Sequence, residues 1–318
     1  METQFDDRKS YILMDNPNLS IAVGDYGHTE PLKNGSVISE RFSLDHREIT
    51  PVISIFRRMV RGLEFDISEM ALSTYLCARA HSKAFTGLPI FLTRSFYHEG
   101  LSYNAKSGIR SAADLSGKRV GVRGYTVTPG VWTRGLLETV YGVDLKSVTW
   151  VLSGDEHVAE YIPPENVISS PNSNLMEMLI SGEIDAAIGA GPIESPDVKM
   201  LFHNPQEADE QWFKDTGLYP ISHMLVVKNE VLEAYPWLSG ALFDLFDRAR
   251  NEYLDFLKSG TNFSKADLGM FKFQQIVGED PIQYGVETSR ETLETFIDFN
   301  VRQQVIPRHV SVEELFAP

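Results

Sequence analysis

Residues 108–143 read GIRSAADLSGKRVGVRGYTVTPGVWTRGLLETVYGV, and this stretch contains a strand, a loop and a helix in direct succession. Small and β-branched residues over 118–122 predict the strand. Thr128 followed by Pro129 predicts the start of the helix, because threonine can cap a first turn and proline suits its first position. Apolar residues then recur at helical spacing to about residue 141. A strand that leads into a helix N-terminus is typical of α/β proteins.

The loop and the helix start within this stretch carry groups that attract an anion. The N–H groups of Gly130 and Val131 are expected to lack helical partners, and the helix dipole places positive charge at the same end. Arg123 and Arg134 add fixed positive charge nearby. The simplest ligand for such a site is a carboxylate. A plainer interpretation stays open, in which Thr128 only caps the helix and both arginines lie on the surface.

The remainder of the chain repeats the alternation of strand and helix. Strands are predicted at 19–23, 40–49, 65–70, 89–93, 148–152, 184–189, 197–202 and 219–228, with helices between most of them and further helices at 229–235, 237–260 and 290–303. This alternation predicts parallel or mixed sheets with helices on both faces. A chain of 318 residues and 35.8 kDa suits two lobes of ordinary domain size.

Composition and charge argue against several classes of partner. The net charge is -15 and the isoelectric point is near 5.0, so the chain as a whole repels phosphate backbones and nucleic acid is not an expected partner. No apolar run has the length of a membrane span, so no membrane partner is expected. The first residues carry acids where a secretion signal carries bases, which predicts a cytoplasmic protein. The single cysteine, Cys77, is predicted to be an inert core residue.

Two further segments carry groups that can transfer protons. The loop 24–30, GDYGHTE, follows the first strand and contains Asp25, Tyr26 and His28. In open α/β sheets, ligands bind where strands end. His223 lies in a later strand. Histidine titrates near neutral pH and could transfer a proton, although Asp, Gly and His are also ordinary turn residues.

Several blocks of the sequence resemble a known fold and, more closely, a known family. Three blocks resemble the type 2 periplasmic binding protein fold: DLSGKRVGV at 114–122, NSNLMEML at 172–179 and SGEIDAAIGA at 181–190. Four blocks resemble the 4,5-dihydroxyphthalate decarboxylase family more closely: FDISEMALSTYL at 65–76, YNAKSGIRSAADLSGKRVGV at 103–122, VWTRGLLETVYGV at 131–143 and YPISHMLVVKNEVLEAYPWL at 219–238. The blocks follow one another in the same order as in the family.

The resemblance implies two α/β lobes with mixed sheets, flanked by helices and joined by two hinge crossings, with the ligand between the lobes. Lobe 1 is expected to comprise 19–103 and 225–318, lobe 2 to comprise 104–224, and 1–18 to form an N-terminal leader. The family consists of cytoplasmic enzymes that convert 4,5-dihydroxyphthalate to protocatechuate, and related enzymes suggest a homo-oligomer. A ring hydroxyl can supply electron density for this reaction, so no cofactor is obligatory.

The chain departs from the family pattern at several charged positions. Gly27 and Glu30 stand where the family has an acid and a base. Tyr97 and Gly191 each stand where the family has an arginine, whereas Arg123 is gained. Two interpretations stay open: the same diacid is bound differently, or the substrate is a related aromatic acid with fewer carboxylates.

Loss of carbon dioxide from a hydroxybenzoate requires an acid that protonates the ring carbon and a base for the ring hydroxyl. We predict that His28, oriented by Asp25, handles one proton and that His223 handles the other. Which histidine is the acid stays open. Asp25, His28 and His223 could also ligate a divalent metal, but no ligand spacing supports a metal site and no cofactor is predicted.

The carboxylates of such a substrate need positive or hydrogen-bonding partners. Arg94, Arg134 and the helix start at Thr128 are predicted to hold them. Further candidate substrate-binding residues are Tyr26, Thr29, Ser73, Thr74, His98, Arg123, Tyr125 and Thr126.

Functions from other classes also fit a cleft of this kind. A solute-binding protein or a sensor could capture a small aromatic or sulfonate anion without catalysis. The acidic N-terminal sequence counts against a transport receptor, and histidines in both the first loop and the returning strand favour an enzyme. A pyrimidine-precursor synthase of the same fold is disfavoured, because no cysteine-rich or histidine-rich site is present.

Overall fold

The computed structural model describes residues 16–317, so most of the predicted leader 1–18 lies outside the described residues. The strands are β1 (Asn18–Ala22), β2 (Ser43–His46), β3 (Ile67–Ala71), β4 (Phe85–Arg94), β5 (Leu101–Asn104), β6 (Arg119–Val122), β7 (Thr149–Leu152), β8 (Val167–Ser169), β9 (Ala186–Ile188), β10 (Val198–Met200) and β11 (Ile221–Lys228). The α-helices are α1 (Glu30–Lys33), α2 (Ile53–Gly62), α3 (Leu72–Ala80), α4 (Thr128–Thr139), α5 (Leu175–Ser181), α6 (Pro205–Thr216), α7 (Asn229–Ala234), α8 (Leu238–Ser259), α9 (Lys265–Val277) and α10 (Arg290–Arg302). None of the helices in this part of the chain is both long and apolar enough to cross a membrane.

The strands form two mixed sheets. The first sheet has the order β2-β1-β3-β11-β4, in which β1 is parallel to β2 and β3 while β11 is antiparallel to β3 and β4. The second sheet has the order β10-β5-β9-β6-β7-β8, in which β6 is parallel to β7 and β9 while β5 is antiparallel to β9 and β10. The expected α/β architecture with mixed sheets is confirmed.

The chain passes from one sheet to the other twice. The segment 95–100 leads from β4 to β5, and the segment 201–220, which contains α6, leads from β10 back to β11. The sheets therefore divide the chain a few residues before the expected lobe limits at 103 and 224. The difference arises because a strand joins the sheet in which it finds its pairing partner, and the local sequence pattern of a strand does not identify that partner.

The surface helix α9 is absent from the helices that periodicity predicts. Its start is marked by a capping box, in which Ser264 Oγ accepts a hydrogen bond from the Asp267 N–H at 3.2 Å and the Asp267 carboxylate accepts one from the Ser264 N–H at 2.7 Å. Asp267 is the one buried residue of α9. The apolar side chains of α9 that pack against the core, such as Phe273 and Ile276, are only partly buried, so the helix lacks the fully buried apolar stripe that gives the clearest helical periodicity.

Helix α4, which follows the second sheet's β6, packs tightly against the C-terminal helix α10. Trp132 stacks on Phe296 with ring centroids 4.6 Å apart. Gly135 lies so close to Phe299 that a Cβ at position 135 would be 2.1 Å from the ring. Because α10 also contacts α3, which follows the first sheet's β3, this packing links the two halves of the molecule.

The close contact between Gly135 and Phe299 makes a stability prediction. Gly135→Ala is expected to lower the free energy of unfolding by about 1–3 kcal/mol, because overpacking forces the aromatic ring out of its place. Gly269→Ala in the middle of α9 is the matched control, since no atom lies within 4 Å of the added Cβ. The control is expected to gain about 0.5–1 kcal/mol. Denaturant unfolding measures both changes, and equal effects would contradict the close packing of α4 on α10.

Candidate active site

A cavity of about 280 Å³ lies between the two sheets. Its lining comprises Val52, Ile53, Phe56, Ala71, Thr74, Arg123, Val127, Thr128, Pro129, Gly130, His157, Ile188, Gly189 and His223. These residues come from α2 and the residue before it, β3, α3 and β11 on the side of the first sheet, and from α4, β9 and three loops on the side of the second. Both halves of the molecule therefore build the cavity, as expected for a cleft that binds a small molecule.

Three helices begin at this cavity. First-turn residues of α2, α3 and α4 all line it, so the positive ends of three helix dipoles converge there. Thr128 is the first residue of α4 and not its cap, which is Val127. The hydroxyl oxygen of Thr128 instead accepts a hydrogen bond from the Ser73 N–H of α3 at 3.0 Å. Thr128 therefore holds the start of one helix against the start of another.

Two expectations at these helix starts are wrong. The N–H of Val131 donates to the Val127 carbonyl at 3.0 Å, so this N–H is not free to bind an anion. Ser73 lies inside α3, and its hydroxyl donates to Asn300 Oδ1 of α10 at 2.8 Å. The Ser73 side chain therefore faces the C-terminal helix. Gly130 remains part of the cavity lining.

His223 reaches the cavity from β11 and is held by a buried carboxylate. Its Nδ1 lies 2.6 Å from Oε1 of Glu69 on the neighbouring strand β3. The same carboxylate accepts hydrogen bonds from the Gly24 N–H and the Tyr26 hydroxyl, each at 2.7 Å. Burial opposes ionisation of Glu69, but hydrogen bonds led by His223 outweigh it and hold the pKa of Glu69 below its usual range. Because Glu69 accepts the Nδ1–H, Nε2 is the histidine nitrogen left for the cavity.

Glu69 is absent from the candidates found in the sequence. It lies at the centre of β3, ISEMA, in which all five residues are buried, and its own exposed fraction is 0%. A buried carboxylate needs hydrogen-bonding partners. An acid in the middle of an apolar strand is therefore the signal that could have identified it.

The loop after β1 supports Glu69 and contributes nothing to the cavity lining. The hydroxyl of Tyr26, a predicted substrate-binding residue, donates a hydrogen bond to the Glu69 carboxylate. Thr29 is buried, and its hydroxyl accepts from the Tyr26 N–H at 3.1 Å and donates to the Gly24 carbonyl at 3.0 Å. Thr29 thus shapes the loop that presents Tyr26 to Glu69.

His28 lies behind Tyr26 and does not line the cavity. The two rings are stacked with centroids 5.4 Å apart, and 1% of His28 is exposed. Burial lowers the pKa of His28 to about 4, and the Glu69 carboxylate offsets this only in part. The expected orientation of His28 by Asp25 is wrong, because the Asp25 carboxylate pairs with Lys33 at the surface. A role for His28 in proton transfer stays a prediction.

Arg123 and His157 supply polar groups on the other side of Phe56. One terminal guanidinium nitrogen of Arg123 is buried and has no hydrogen-bonding partner. His157 is 3% exposed; its Nδ1 lies 3.1 Å from the Thr74 hydroxyl, while its Nε2 is buried without a partner. Burial, followed by the charges of Arg123 and Arg57, lowers the pKa of His157 to about 3. His157 is therefore a neutral hydrogen-bonding group near pH 7.

His157 is the second functional residue that the sequence candidates missed. It lies in an irregular loop after β7 and has no local partner that suggests chemistry. Its place in the cavity depends on Thr74, which is 83 residues away in the chain. The predicted candidates Thr74, Arg123, Thr128 and His223 do line the same cavity.

Tyr125 and Thr126 are directed away from the cavity by Glu156. The Glu156 carboxylate accepts hydrogen bonds from the Tyr125 N–H and from the Thr126 hydroxyl, the latter at 2.5 Å. The Tyr125 ring lies under the guanidinium of Arg134, which is 3.9 Å from the ring centroid. These two predicted substrate-binding residues instead fix the loop between β6 and α4, and that loop carries Arg123.

The remaining charged candidates bind protein groups in the interior. Arg94 donates to the carbonyls of Tyr219 at 2.8 Å and Gln283 at 3.0 Å, and burial lowers the pKa of Arg94 to about 10. Arg134 donates to the Tyr125 carbonyl at 2.6 Å and to Gln303 Oε1 at 2.7 Å. Neither arginine lines the cavity, although Arg94 Nε and Arg134 Nη1 are buried without a hydrogen-bonding partner. The carboxylate-binding roles of these two arginines stay predictions.

His98 is also a structural residue. Its Nδ1 lies 2.5 Å from an Asp209 carboxylate oxygen, and the ring packs edge-on against Phe202. It is absent from the cavity lining. The alternative of a metal bound by Asp25, His28 and His223 finds no support, since residues 16–317 contain no group of three His, Cys, Asp or Glu side chains placed to hold an ion.

The fold and the cavity define an α/β protein of the type 2 periplasmic binding protein class. A periplasmic sulfonate-binding protein of Methylobacillus flagellatus is similar in structure over 96% of this chain and 92% of that protein, with a TM-score of 0.57 and 11% identity. At this identity the likeness shows the fold alone. The expected two-lobed fold is thereby confirmed. No family model matches the sequence.

Sequence relatives identify the family. A 4,5-dihydroxyphthalate decarboxylase of Comamonas testosteroni is 34% identical over 328 aligned residues, which cover 96% of this chain and 98% of the relative. A 4,5-dihydroxyphthalate decarboxylase of Pseudomonas putida is 35% identical over 221 residues, which cover 64% of this chain and 84% of the relative. The chain belongs to the 4,5-dihydroxyphthalate decarboxylase family, as the sequence blocks indicate.

The buried His157 is expected to make stability depend on pH. In the unfolded chain a histidine becomes charged below about pH 6.5, whereas folded His157 stays neutral down to its pKa of about 3. Stability therefore falls as the pH is lowered through this window, by about 1 kcal/mol between pH 6 and pH 5 for one such residue. Urea unfolding at the two pH values should show that His157→Gln reduces the loss by this amount. An identical loss in the variant would show that His157 is not held neutral.

Proposed function

We propose that this chain decarboxylates 4,5-dihydroxyphthalate to 3,4-dihydroxybenzoate, which is protocatechuate, in the cavity between the two sheets and without a cofactor. The observation that carries the proposal is the pair of His223 and buried Glu69 at an apolar cavity. Relatives over nearly the whole chain bear the name of this activity, which supports the choice of substrate.

The reaction replaces a ring carboxylate by a proton. In 4,5-dihydroxyphthalate each carboxylate has a hydroxyl para to it. Ionisation of that hydroxyl, whose proton passes to solvent and returns when the product leaves, pushes electron density toward the carbon that bears the carboxylate. An acid donates a proton to this carbon, the bond to the carboxylate carbon then breaks, and its electron pair restores the aromatic ring as carbon dioxide leaves. One proton is consumed in each turnover, so the acid must be reprotonated from solvent.

His223 is the proton donor in this scheme. Its Nδ1–H is bound to Glu69, so the proton that Nε2 carries in the imidazolium form faces the cavity. The negative charge of Glu69 stabilises the imidazolium, and the fixed tautomer ensures that the same nitrogen loses and regains the proton. Glu69 acts through His223 and is a positioning residue.

The apolar part of the cavity suits the loss of charge in this reaction. Phe56 lies 4.8 Å from the His223 ring, measured between centroids, and meets it edge-on. Val52, Ile53, Val127 and Ile188 complete the apolar lining. A carboxylate in such surroundings is poorly solvated, whereas neutral carbon dioxide is not penalised, so the surroundings favour bond cleavage.

The activity is tested by incubating the purified protein with 4,5-dihydroxyphthalate. Ultraviolet absorbance should show conversion to 3,4-dihydroxybenzoate, and carbon dioxide should appear in equal amount in the headspace. Tight binding of the substrate without release of carbon dioxide would overturn the proposal and favour a binding protein or a sensor.

The role of His223 is tested by His223→Gln. The variant is expected to lower kcat by about 10²- to 10⁴-fold, because this is the usual contribution of a general acid. Ser222→Ala is the matched control: it alters the preceding residue of β11, whose hydroxyl lies 2.5 Å from that of Tyr97, and should retain kcat within a few-fold. A His223→Gln enzyme with near-normal kcat would exclude His223 as the acid.

Glu69→Gln tests whether Glu69 acts through His223. We expect kcat to fall at least about tenfold with little change in KM, since the neutral amide no longer stabilises the imidazolium. Tyr26→Phe removes one hydrogen bond but leaves the carboxylate, so it is the matched control and should retain more of kcat. A rise in KM with unchanged kcat in Glu69→Gln, or an equal loss of kcat in Tyr26→Phe, would indicate a purely structural role.

A further inference from the structure

The charges around the cavity are divided between its two sides. Arg123 and His157 lie on one side, and Arg57 is near enough to lower the pKa of Arg123 after the effect of burial itself. Glu69 lies behind His223 on the other side. Asp155 and Glu156 lie near Arg123 as well, but Asp155 pairs with Arg57 and Arg61, and Glu156 accepts hydrogen bonds from the loop before α4. The donors of Arg123 and His157 therefore face the cavity on one side, whereas the other side presents the proton donor.

The positive side contains donors that lack acceptors. A terminal nitrogen of Arg123 is buried and unpartnered, and so is Nε2 of His157. When Thr74 donates its hydroxyl proton to Nδ1, the neutral His157 ring carries its proton on Nε2, where it can be donated to a ligand. Buried donors of this kind are costly unless an acceptor fills the site, and a carboxylate can accept from both.

A carboxylate bound at this side cannot be the one that leaves. The leaving carboxylate loses its charge as carbon dioxide forms, so a guanidinium bound to it would stabilise the ground state more than the transition state and slow the reaction. A carboxylate that keeps its charge throughout is held equally well in both states. Arg123 can therefore bind that group without a cost in rate.

We propose, on the basis of the proposed function, that Arg123 and His157 bind the carboxylate that the product retains, while the leaving carboxylate lies against Phe56 beside His223. The two carboxylates are on adjacent ring carbons, so one neighbouring pair of substituents is divided between the two sides of the cavity. The product keeps its carboxylate on the positive side, away from the proton donor, which accounts for a reaction that stops after one decarboxylation. Arg123 is thus a specificity-determining residue for ortho-dicarboxylates.

Product inhibition tests this arrangement. 3,4-Dihydroxybenzoate retains a carboxylate and catechol has none, so their inhibition constants against 4,5-dihydroxyphthalate report on the carboxylate site separately from the ring. In Arg123→Gln the inhibition constant of 3,4-dihydroxybenzoate is expected to rise about tenfold or more, as is KM, because a hydrogen bond to a charged group is lost. The inhibition constant of catechol and kcat should each change less than about threefold, as for an interaction made equally in both states.

Arg57→Gln is the matched control, since it also removes one positive charge near the cavity. The Arg57 guanidinium already has a partner, because it donates to the Asp155 carboxylate at 2.6 Å. Its effect on inhibition by 3,4-dihydroxybenzoate should be clearly smaller. Turnover with unaltered inhibition by 3,4-dihydroxybenzoate in Arg123→Gln, or a fall in kcat without a rise in KM, would overturn the carboxylate assignment alone. Absence of carbon dioxide release by the wild-type enzyme would overturn the proposed function itself. The assignment of the retained carboxylate to Arg123 and His157 would then fall with it.

Discussion

A single buried carboxylate organises the side of the cavity that carries His223. Glu69 has an exposed fraction of 0%, and such a charge is tolerated only because three donors surround it. The donors are the Gly24 N–H, the Tyr26 hydroxyl and His223 Nδ1, which belong to the loop after β1 and to β11. The need to satisfy one anion therefore fixes the loop, the strand and the orientation of the histidine together.

The opposite side of the cavity follows from a different constraint, the meeting of helix starts. Thr128 joins the start of α4 to the N–H of Ser73 in α3, so a helix from each half of the molecule begins at the same point. Glu156 fixes the loop that leads into α4, and that loop delivers Arg123 to the cavity. Positive charge and buried donors thus lie opposite the Glu69–His223 pair.

Part of the site could be predicted from local sequence patterns. Thr74, Arg123 and Thr128 lie where a strand ends or a helix begins, and such positions face the cavity in this class of fold. His223 is predicted because histidine titrates near neutral pH and can transfer a proton. The sequence does not reveal that Arg94 and Arg134 donate to protein oxygens, because a buried guanidinium looks the same in sequence whether a ligand or a protein oxygen accepts its hydrogen bonds.

The sequence by itself determined the alternation of strands and helices, the two-sheet α/β architecture and the family, since periodicity, turn residues and ordered blocks act over short stretches of chain. Only the tertiary structure decided which groups meet. Glu69 and His223 are 154 residues apart, and Thr74 and His157 are 83 residues apart. His28 lies in the loop after β1, as predicted from the sequence, but it stacks behind Tyr26 and does not line the cavity. Burial and long-range pairing set these positions, and neither is encoded in the residues that flank them.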